Sequence, residues 1–319
     1  MPDQDVICYF SISMPQKNTN KMVVITGANG LLGQKTVEAF APHFHVIATG
    51  VEPEPVLDIE SVEYRTLDLT DFDAMKDFFD EYPPDILVNC AAYTNVDGAE
   101  QEKETAWQVN AMAVKKMAHQ LRRKNTKFVQ ISTDYIFNGE DGPYSETDRP
   151  DPINYYGTSK LAAENEIKAS GIDHLIIRTN VLYGAANQIK NNFVLWVIKS
   201  LENHQPIRVV DDQINNATLA NGLAECIMMG CVMNARGVYN YAGTDLINRY
   251  EFAQKIAEYF GYNVDLIEPC KTADLNQAAP RPLKSGLQTD KVVRDLHIRL
   301  YDTRAGLKQV EKDLQQCEI

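Results

Sequence analysis

The stretch MVVITGANGLLGQKTVEAFA, residues 22–41, sets a short apolar run against a glycine-rich turn and then a helical pattern. Met22 to Thr26 reads as a buried strand, because the run is short, apolar and bounded by a turn. From Leu31 the apolar residues recur at helical spacing. Between the two stand Gly27, Gly30 and Gly33. Gly27 permits a tight turn, Gly30 lets backbone approach a pyrophosphate, and Gly33 allows the helix to pack closely on the strand. The helix N-terminus favours phosphate charge. A glycine pattern alone is weak, and the spacing of three then three departs from GxGxxG. The strand–turn–helix context is what makes it a dinucleotide-binding turn, with Gly27, Gly30, Leu31, Leu32 and Gly33 as expected cofactor contacts.

The alternation continues outward. HVIAT (45–49), EYRTLDL, DILVNCAA, KFVQIS and HLIIRT read as strands. DFDAMKDFFDEY, TAWQVNAMAVKKMAHQLRRK and YYGTSKLAAENEIKAS read as helices between them. Strands alternating with helices predict an α/β fold, a doubly wound parallel sheet of the Rossmann type. After Arg178 helical patterns dominate, over 192–202, 219–229, 249–260 and from Thr303. The division expected is an N-terminal extension over 1–21, a dinucleotide-binding domain over 22–180, and a smaller, mostly helical substrate lobe over 181–319. The last boundary is soft, because strands of the lobe can return to the main sheet.

The chain has 319 residues and a net charge of −13, which argues against nucleic acid or an anionic membrane surface as partner. No apolar run approaches the roughly 20 residues of a membrane-spanning helix. Asp3 and Asp5 precede the apolar run Val6–Ile12 where a secretion signal would carry positive charge. The six cysteines form no CxxC pair, and neither they nor the histidines show metal-ligand spacing. Reduced thiols in a cytoplasmic protein without a metal are expected.

Two further stretches carry chemistry. In NYYGTSK, residues 154–160, Tyr156 lies four before Lys160 and Tyr155 four before Ser159. Residues four apart share a helix face, so Tyr156 stands with Lys160. An ammonium beside a phenol lowers the tyrosine pKa and makes an acid/base device. The second strand ends in ATGVEPE, with neither acid nor base at Thr49 to Val51 and Glu52 slightly late, so the choice between NADH and NADPH stays open. Asp68, followed by Leu69, ends the third strand near the expected adenine site. A cofactor contact there, shared with Leu69, and a helix N-terminal carboxylate are equal readings for it. Arg281, before Pro282, suits either a sugar-nucleotide diphosphate or a structural salt bridge.

GANGLLG, ISTDYIF and YYGTSK together resemble the extended short-chain dehydrogenase/reductase superfamily. VNCAAYTNVDGAEQE, STDYIFNG, RTNVLYG, VVDDQINNAT and APRPLKSGL resemble its dTDP-4-dehydrorhamnose reductase family. The resemblance implies reduction of the C4 ketone of a dTDP-linked 6-deoxyhexulose by NADPH or NADH. It assigns catalysis to Tyr156, Lys160 and Thr133, with Ser132 the lesser candidate. Asp134 is implied to face the sugar, Ala91, Ala92 and Tyr93 to line the cofactor, and Asn110 to support the framework. It also implies a nucleotide-sugar substrate and allows a homodimer. Val181 stands where relatives often carry tryptophan against the sugar, with Tyr183 and Trp196 as candidates to fill the space. Lys35 stands where some members carry a glutamate that joins a metal-bridged dimer, which speaks against such a metal. Nucleotide-sugar epimerases, reductases of other hexuloses and the non-catalytic regulatory subunit of methionine adenosyltransferase share the resemblance.

Overall fold

The computed structural model describes residues 21–317, so most of the expected extension, with Cys8, lies outside the described residues. β1 (Met22–Thr26), α1 (Leu31–Phe40), β2 (His45–Gly50), β3 (Val62–Thr66), α2 (Phe72–Glu81) and β4 (Ile86–Asn89) build the first half of the sheet. α3 (Val96–Gln101), α4 (Lys103–Trp107) and α5 (Ala113–Leu121) follow, then β5 (Lys127–Thr133), α6 (Tyr155–Ser170) and β6 (His174–Thr179). The single helix expected over residues 105–124 is broken by a π-helical turn at Gln108–Met112. Such a turn inserts one residue and re-aims the side chains around it.

Past β7 (Leu182–Tyr183) come α7 (Phe193–Glu202), β8 (Ile207–Val210), β9 (Ile214–Asn215), β10 (Thr218–Leu219) and α8 (Ala220–Val232). The chain ends with β11 (Gly237–Asn240), β12 (Ile247–Asn248), α9 (Arg249–Phe260), β13 (Ile267–Cys270), α10 (Asp290–Leu296) and α11 (Thr303–Leu314). Seven parallel strands form the main sheet in the order β11-β6-β5-β4-β1-β2-β3.

Side chains alternate across this sheet as strand geometry requires. Val23 and Ile25 join a core with Phe40 of α1, Ile227 of α8 and Leu296 of α10. Val24, between them, joins the opposite core with Phe79 of α2, Met117 of α5 and Ile167 of α6. Thus β11, α8 and α10, all after residue 181, belong to the layers of the main sheet. The rest of the second half packs on its own core, including Tyr183, Leu201, Phe252 and Leu307. Lys35 of α1 is buried and ion-paired with Asp313 of α11 at 2.9 Å, so it ties the C-terminal helix to the sheet layer. No helix among the described residues is long and apolar enough to cross a membrane. Cys90, Cys226, Cys231, Cys270 and Cys317 are free thiols.

One buried ion pair locks α6 to the sheet. Arg178 of β6 donates from Nε to Glu164 Oε1 at 2.9 Å and from Nη2 to Oε2 at 2.8 Å. Ser132 Oγ of β5 donates to the same carboxylate at 2.7 Å. Burial opposes the charge of Glu164, but Arg178, Lys168 and Ser132 hold its pKa below the usual value. Breaking such a pair strands a buried charge. Arg178→Met is expected to destabilise the fold by about 3–5 kcal/mol, read as a lowered urea midpoint. An unchanged midpoint would show that the pair does not hold α6.

Candidate active site

The carboxyl ends of the parallel strands open into a cavity of about 670 Å³, closed on one side by the second half of the chain. That volume suits a drug-sized or cofactor-sized ligand. Its position is the one open α/β sheets reserve for ligands. Gly27, Gly30, Leu31, Leu32 and Gly33 line one end. Gly27 has φ +66, and a Cβ there would lie 2.7 Å from Ala91 N. A Cβ on Gly33 would run into the Gly27 carbonyl oxygen. α1 starts at Gly30 with no side-chain cap, so its first N–H groups keep their capacity for a ligand. Thr49, at the end of β2, lines the same end, and its buried hydroxyl has no partner. An uncapped helix start, a backbone cradle and an unpaired hydroxyl fit a dinucleotide.

Asp68, Leu69, Ala91 and Ala92 line this end too. The Asp68 carboxylate accepts from Thr70 N at 2.8 Å and Thr70 Oγ1 at 2.7 Å, and Asp71, not Asp68, caps α2. Tyr93 does not line the cavity; its phenol lies beside Gly98 and Glu102. Its backbone is held from the π turn. Asn110, in the π turn, accepts from Tyr93 N at 2.9 Å and donates to Tyr93 O at 3.1 Å and Ser159 Oγ at 3.0 Å.

Thr133, Asp134, Tyr156 and Lys160 meet deeper in the cavity. Asn154 caps α6 by accepting from Gly157 N at 2.8 Å, which sets the start of the helix and its facing. Tyr156 then faces the cavity. Tyr155 turns outward to Trp107, with the Lys103 ammonium 5.2 Å from its ring centroid. Lys160 Nζ donates to Ile131 O at 2.7 Å, and burial lowers its pKa to about 8.

In this structure burial, rather than Lys160, sets the direction of the Tyr156 shift. Burial raises the phenol pKa well above its usual value, and the charge of Asp134 raises it further. Thr133 pulls the other way without reversing the shift, and Lys160 is not among the groups that act on it. Asp134 is itself buried. Ser285 Oγ donates to its Oδ2 at 2.5 Å and Thr133 Oγ1 to its Oδ1 at 3.1 Å. Burial still pushes its pKa up to about 6.

Val181 lines the cavity with φ +36. Neither side chain expected to fill the space beside it does so. Tyr183 is buried against Phe252, and Trp196 sits on the outer face of α7 beside Phe193. Arg281 is not part of the lining; it donates to Asp97 Oδ2 and to Ala279 O at 2.8 and 2.7 Å.

Three lining residues that bear on the chemistry have no assigned role in the sequence. Tyr135 packs edge-on to Tyr156, with ring centroids 5.9 Å apart. Arg249 enters from the start of α9. Glu52 folds back over Gly50, and its carboxylate accepts from Asn29 Nδ2 of the glycine turn at 3.0 Å. The late position of Glu52 in the sequence hid this, because the bend after β2 returns it to the strand end.

The RmlD substrate binding domain family matches residues 21–316, and the chain belongs to that family. A probable low-salt glycan biosynthesis reductase from Haloferax volcanii is 34% identical over 85% of this chain and 91% of its own length. The dTDP-4-dehydrorhamnose reductase of Aggregatibacter actinomycetemcomitans is 30% identical over 90% of this chain and 97% of its own. A crystal structure of dTDP-4-dehydrorhamnose reductase from Bacillus anthracis in complex with NADP has a TM-score of 0.80 at 31% identity. It covers 93% of this chain and 100% of that one.

The raised pKa of Asp134 has a sign that can be checked. An unperturbed carboxyl titrates near about 4, so the folded state binds this proton more tightly than the unfolded chain. Stability from this group is therefore lost as pH rises from roughly 4 to 6. Asp134→Asn should gain on the wild type by about 2 kcal/mol between pH 4 and pH 7 in urea unfolding. A difference that does not change with pH would show that Asp134 titrates normally.

Proposed function

We propose that this chain is a nucleotide-sugar reductase that reduces the C4 ketone of a dTDP-linked 6-deoxyhexulose with NADPH or NADH. The observation that carries the reading is Tyr156. It is a phenol kept protonated by burial, in one cavity with an uncapped glycine turn that suits a dinucleotide. Membership of the family and the names of the relatives support the substrate class.

The turn of Gly27 to Gly33, with Asp68, Leu69, Ala91, Ala92 and Lys160, would hold the cofactor. The bound reduced nicotinamide supplies the hydride. The residues of the chain do the rest. Ketone reduction leaves an alkoxide that must gain a proton, and Tyr156 is placed to donate it. Its raised resting pKa keeps Tyr156 protonated at neutral pH, and the alkoxide, a stronger base than the phenolate, draws the proton as it forms. Thr133 would add a hydrogen bond at the same oxygen by turning its hydroxyl from Asp134 Oδ1. Lys160, with its pKa near 8, is largely protonated at neutral pH and would offer positive charge one helical turn from the phenolate left behind. Val181 and Asp134 bound the sugar side.

The defining test is oxidation of the reduced cofactor with a panel of nucleotide-linked ketosugars. Turnover fastest with the dTDP-linked 4-keto sugar supports the reading. Turnover with none of them points to the regulatory-subunit alternative. Tyr156→Phe should lower kcat by about a hundredfold or more, the usual span of acid catalysis, while cofactor affinity holds. Tyr155→Phe should leave kcat within about threefold, since its ring faces Trp107. Equal losses in the two variants would reject Tyr156 as the donor.

Both cofactors should be accepted, but not equally. A carboxylate at the end of the second strand accepts from a ribose 2′-hydroxyl and repels a 2′-phosphate. With Glu52 in that place, NADH should bind about tenfold more tightly than NADPH in a fluorescence titration. Glu52→Gln should narrow the gap. Equal affinities in the wild type would remove Glu52 from the cofactor end.

A further inference from the structure

Two arginines converge on Tyr135, and their fates differ. Both act on its phenol through their charge. Arg281 is neutralised by Asp97 at 2.8 Å. Arg249 is not. The contact its guanidinium makes is with the Phe193 ring, 5.0 Å from the centroid. Asp134 is the carboxylate that acts on it, but both Asp134 oxygens are already taken by Ser285 and Thr133, and the two groups form no ion pair. Arg281 opposes its charge from the other side.

Arg249 and Lys160 are the two cationic residues lining the cavity among the described residues. Lys160 is committed to the Ile131 carbonyl beside Tyr156. That leaves Arg249 as the available positive group on the wall contributed by the second half. A partly buried guanidinium next to a second one, with no carboxylate of its own, is unfavourable unless a ligand brings negative charge. Its planar fork and weak hydration suit phosphate oxygens better than an ammonium would.

We propose that Arg249 is the anion-binding residue of the substrate half of the cavity, and that it takes the phosphate oxygens of the nucleotide-sugar diphosphate. The role expected of Arg281 thus passes to Arg249, while Arg281 with Asp97 holds the loop behind Tyr135. The assignment rests on the nucleotide-sugar reading above. An anionic substituent on the sugar itself would present the same chemistry, and the ligands chosen for the test separate the two.

The test is calorimetric binding of dTDP, thymidine and inorganic pyrophosphate to the full chain, its Arg249→Met variant and its Arg249→Lys variant, with NADH binding as a check that each variant is folded. Arg249→Met should weaken dTDP about tenfold to a hundredfold, as expected for loss of a charge-assisted bond. Thymidine should be unaffected, and Arg249→Lys should recover part of the loss. Pyrophosphate binding should weaken in parallel with dTDP. If Arg249→Met fails to bind NADH, Arg249→Gln replaces it over the Phe193 ring. Equal dTDP affinity in wild type and variant would overturn the proposal. An equal loss of thymidine and dTDP would overturn it as well, since that marks lost packing. A raised KM confined to acidic sugars, with dTDP binding intact, would move the anion to the sugar and overturn the diphosphate assignment. If the wild type prefers another nucleoside diphosphate, the dTDP reading fails while Arg249 stands or falls by the same comparison on that nucleotide. If it binds none, both fall.

Discussion

The geometry of the site depends on one buried ion pair, Glu164 with Arg178. Its two partners sit on neighbouring elements, α6 and β6, with Ser132 of β5 bound to the same carboxylate. A two-point contact fixes rotation as well as position. α6 therefore cannot roll on the sheet. Lys160 lies one helical turn before Glu164 and Tyr156 one turn before that, so the rotation set at Glu164 is inherited by both. At the start of the helix Asn154 does two jobs. It caps Gly157 and donates to Pro280 O at 2.9 Å, which ties the loop bearing Arg281 and Ser285 to the same helix. The sugar-side loop and the helix bearing Tyr156 thus move together.

On this rigid frame the local charges are set by burial more than by partners. Tyr156, Asp134 and Lys160 all shift toward their neutral forms. Desolvation penalises charge whatever its sign. At neutral pH the resting site thus holds a neutral phenol between a carboxylate and an ammonium whose pKa values burial has drawn toward neutrality, so both respond readily to charge that arrives with ligands or develops in the reaction. This is a different route from an ammonium acidifying its neighbour. The helical spacing of Tyr156 and Lys160 is real, but shared helix face does not guarantee electrostatic coupling. The ammonium reaches the Ile131 carbonyl instead.

What was legible in the sequence was local. The strand–turn–helix at residues 22–41 and the alternation after it follow from periodicity within single elements, and the parallel sheet follows from the alternation. Thr133, Tyr156 and Lys160 lie on adjacent elements of that pattern, and the cavity unites them. What escaped depends on contacts between distant segments. Glu52 counts as late along the chain, yet the Asn29 bond draws it back. Arg281 stands out beside Pro282 while Arg249 does not, yet Asp97, more than 180 residues from Arg281, takes it out of the cavity. The π turn that aims Asn110 breaks no residue pattern, since every residue in it is compatible with an α-helix. The boundary at residue 181 is soft in the sequence because strands of the lobe can return, and β11 does return; that α8 and α10 pack on the same sheet is a matter that periodicity does not encode.

Val181 shows how strain and specificity meet. A β-branched residue at φ +36 is a backbone outlier, and such conformations cost about 1–3 kcal/mol. They persist where the surroundings over-determine them. Here the surroundings do. Val181 O accepts from Thr218 N at 3.1 Å, Thr179 Oγ1 donates to Thr218 Oγ1 at 2.8 Å, and Asn180 Nδ2 donates to Asn216 Oδ1 at 3.0 Å. Three consecutive residues are stapled to one segment of the second half. The backbone there cannot relax, so the side chain at 181 is fixed against the cavity, and its size sets the room left there. A large aromatic at this position would narrow the cavity. Valine leaves it wide, and neither Tyr183 nor Trp196 compensates. The pocket thus trades flat apolar surface for space. Its specificity should therefore rest more on the charge and hydrogen bonds of the ligand than on stacking against its ring.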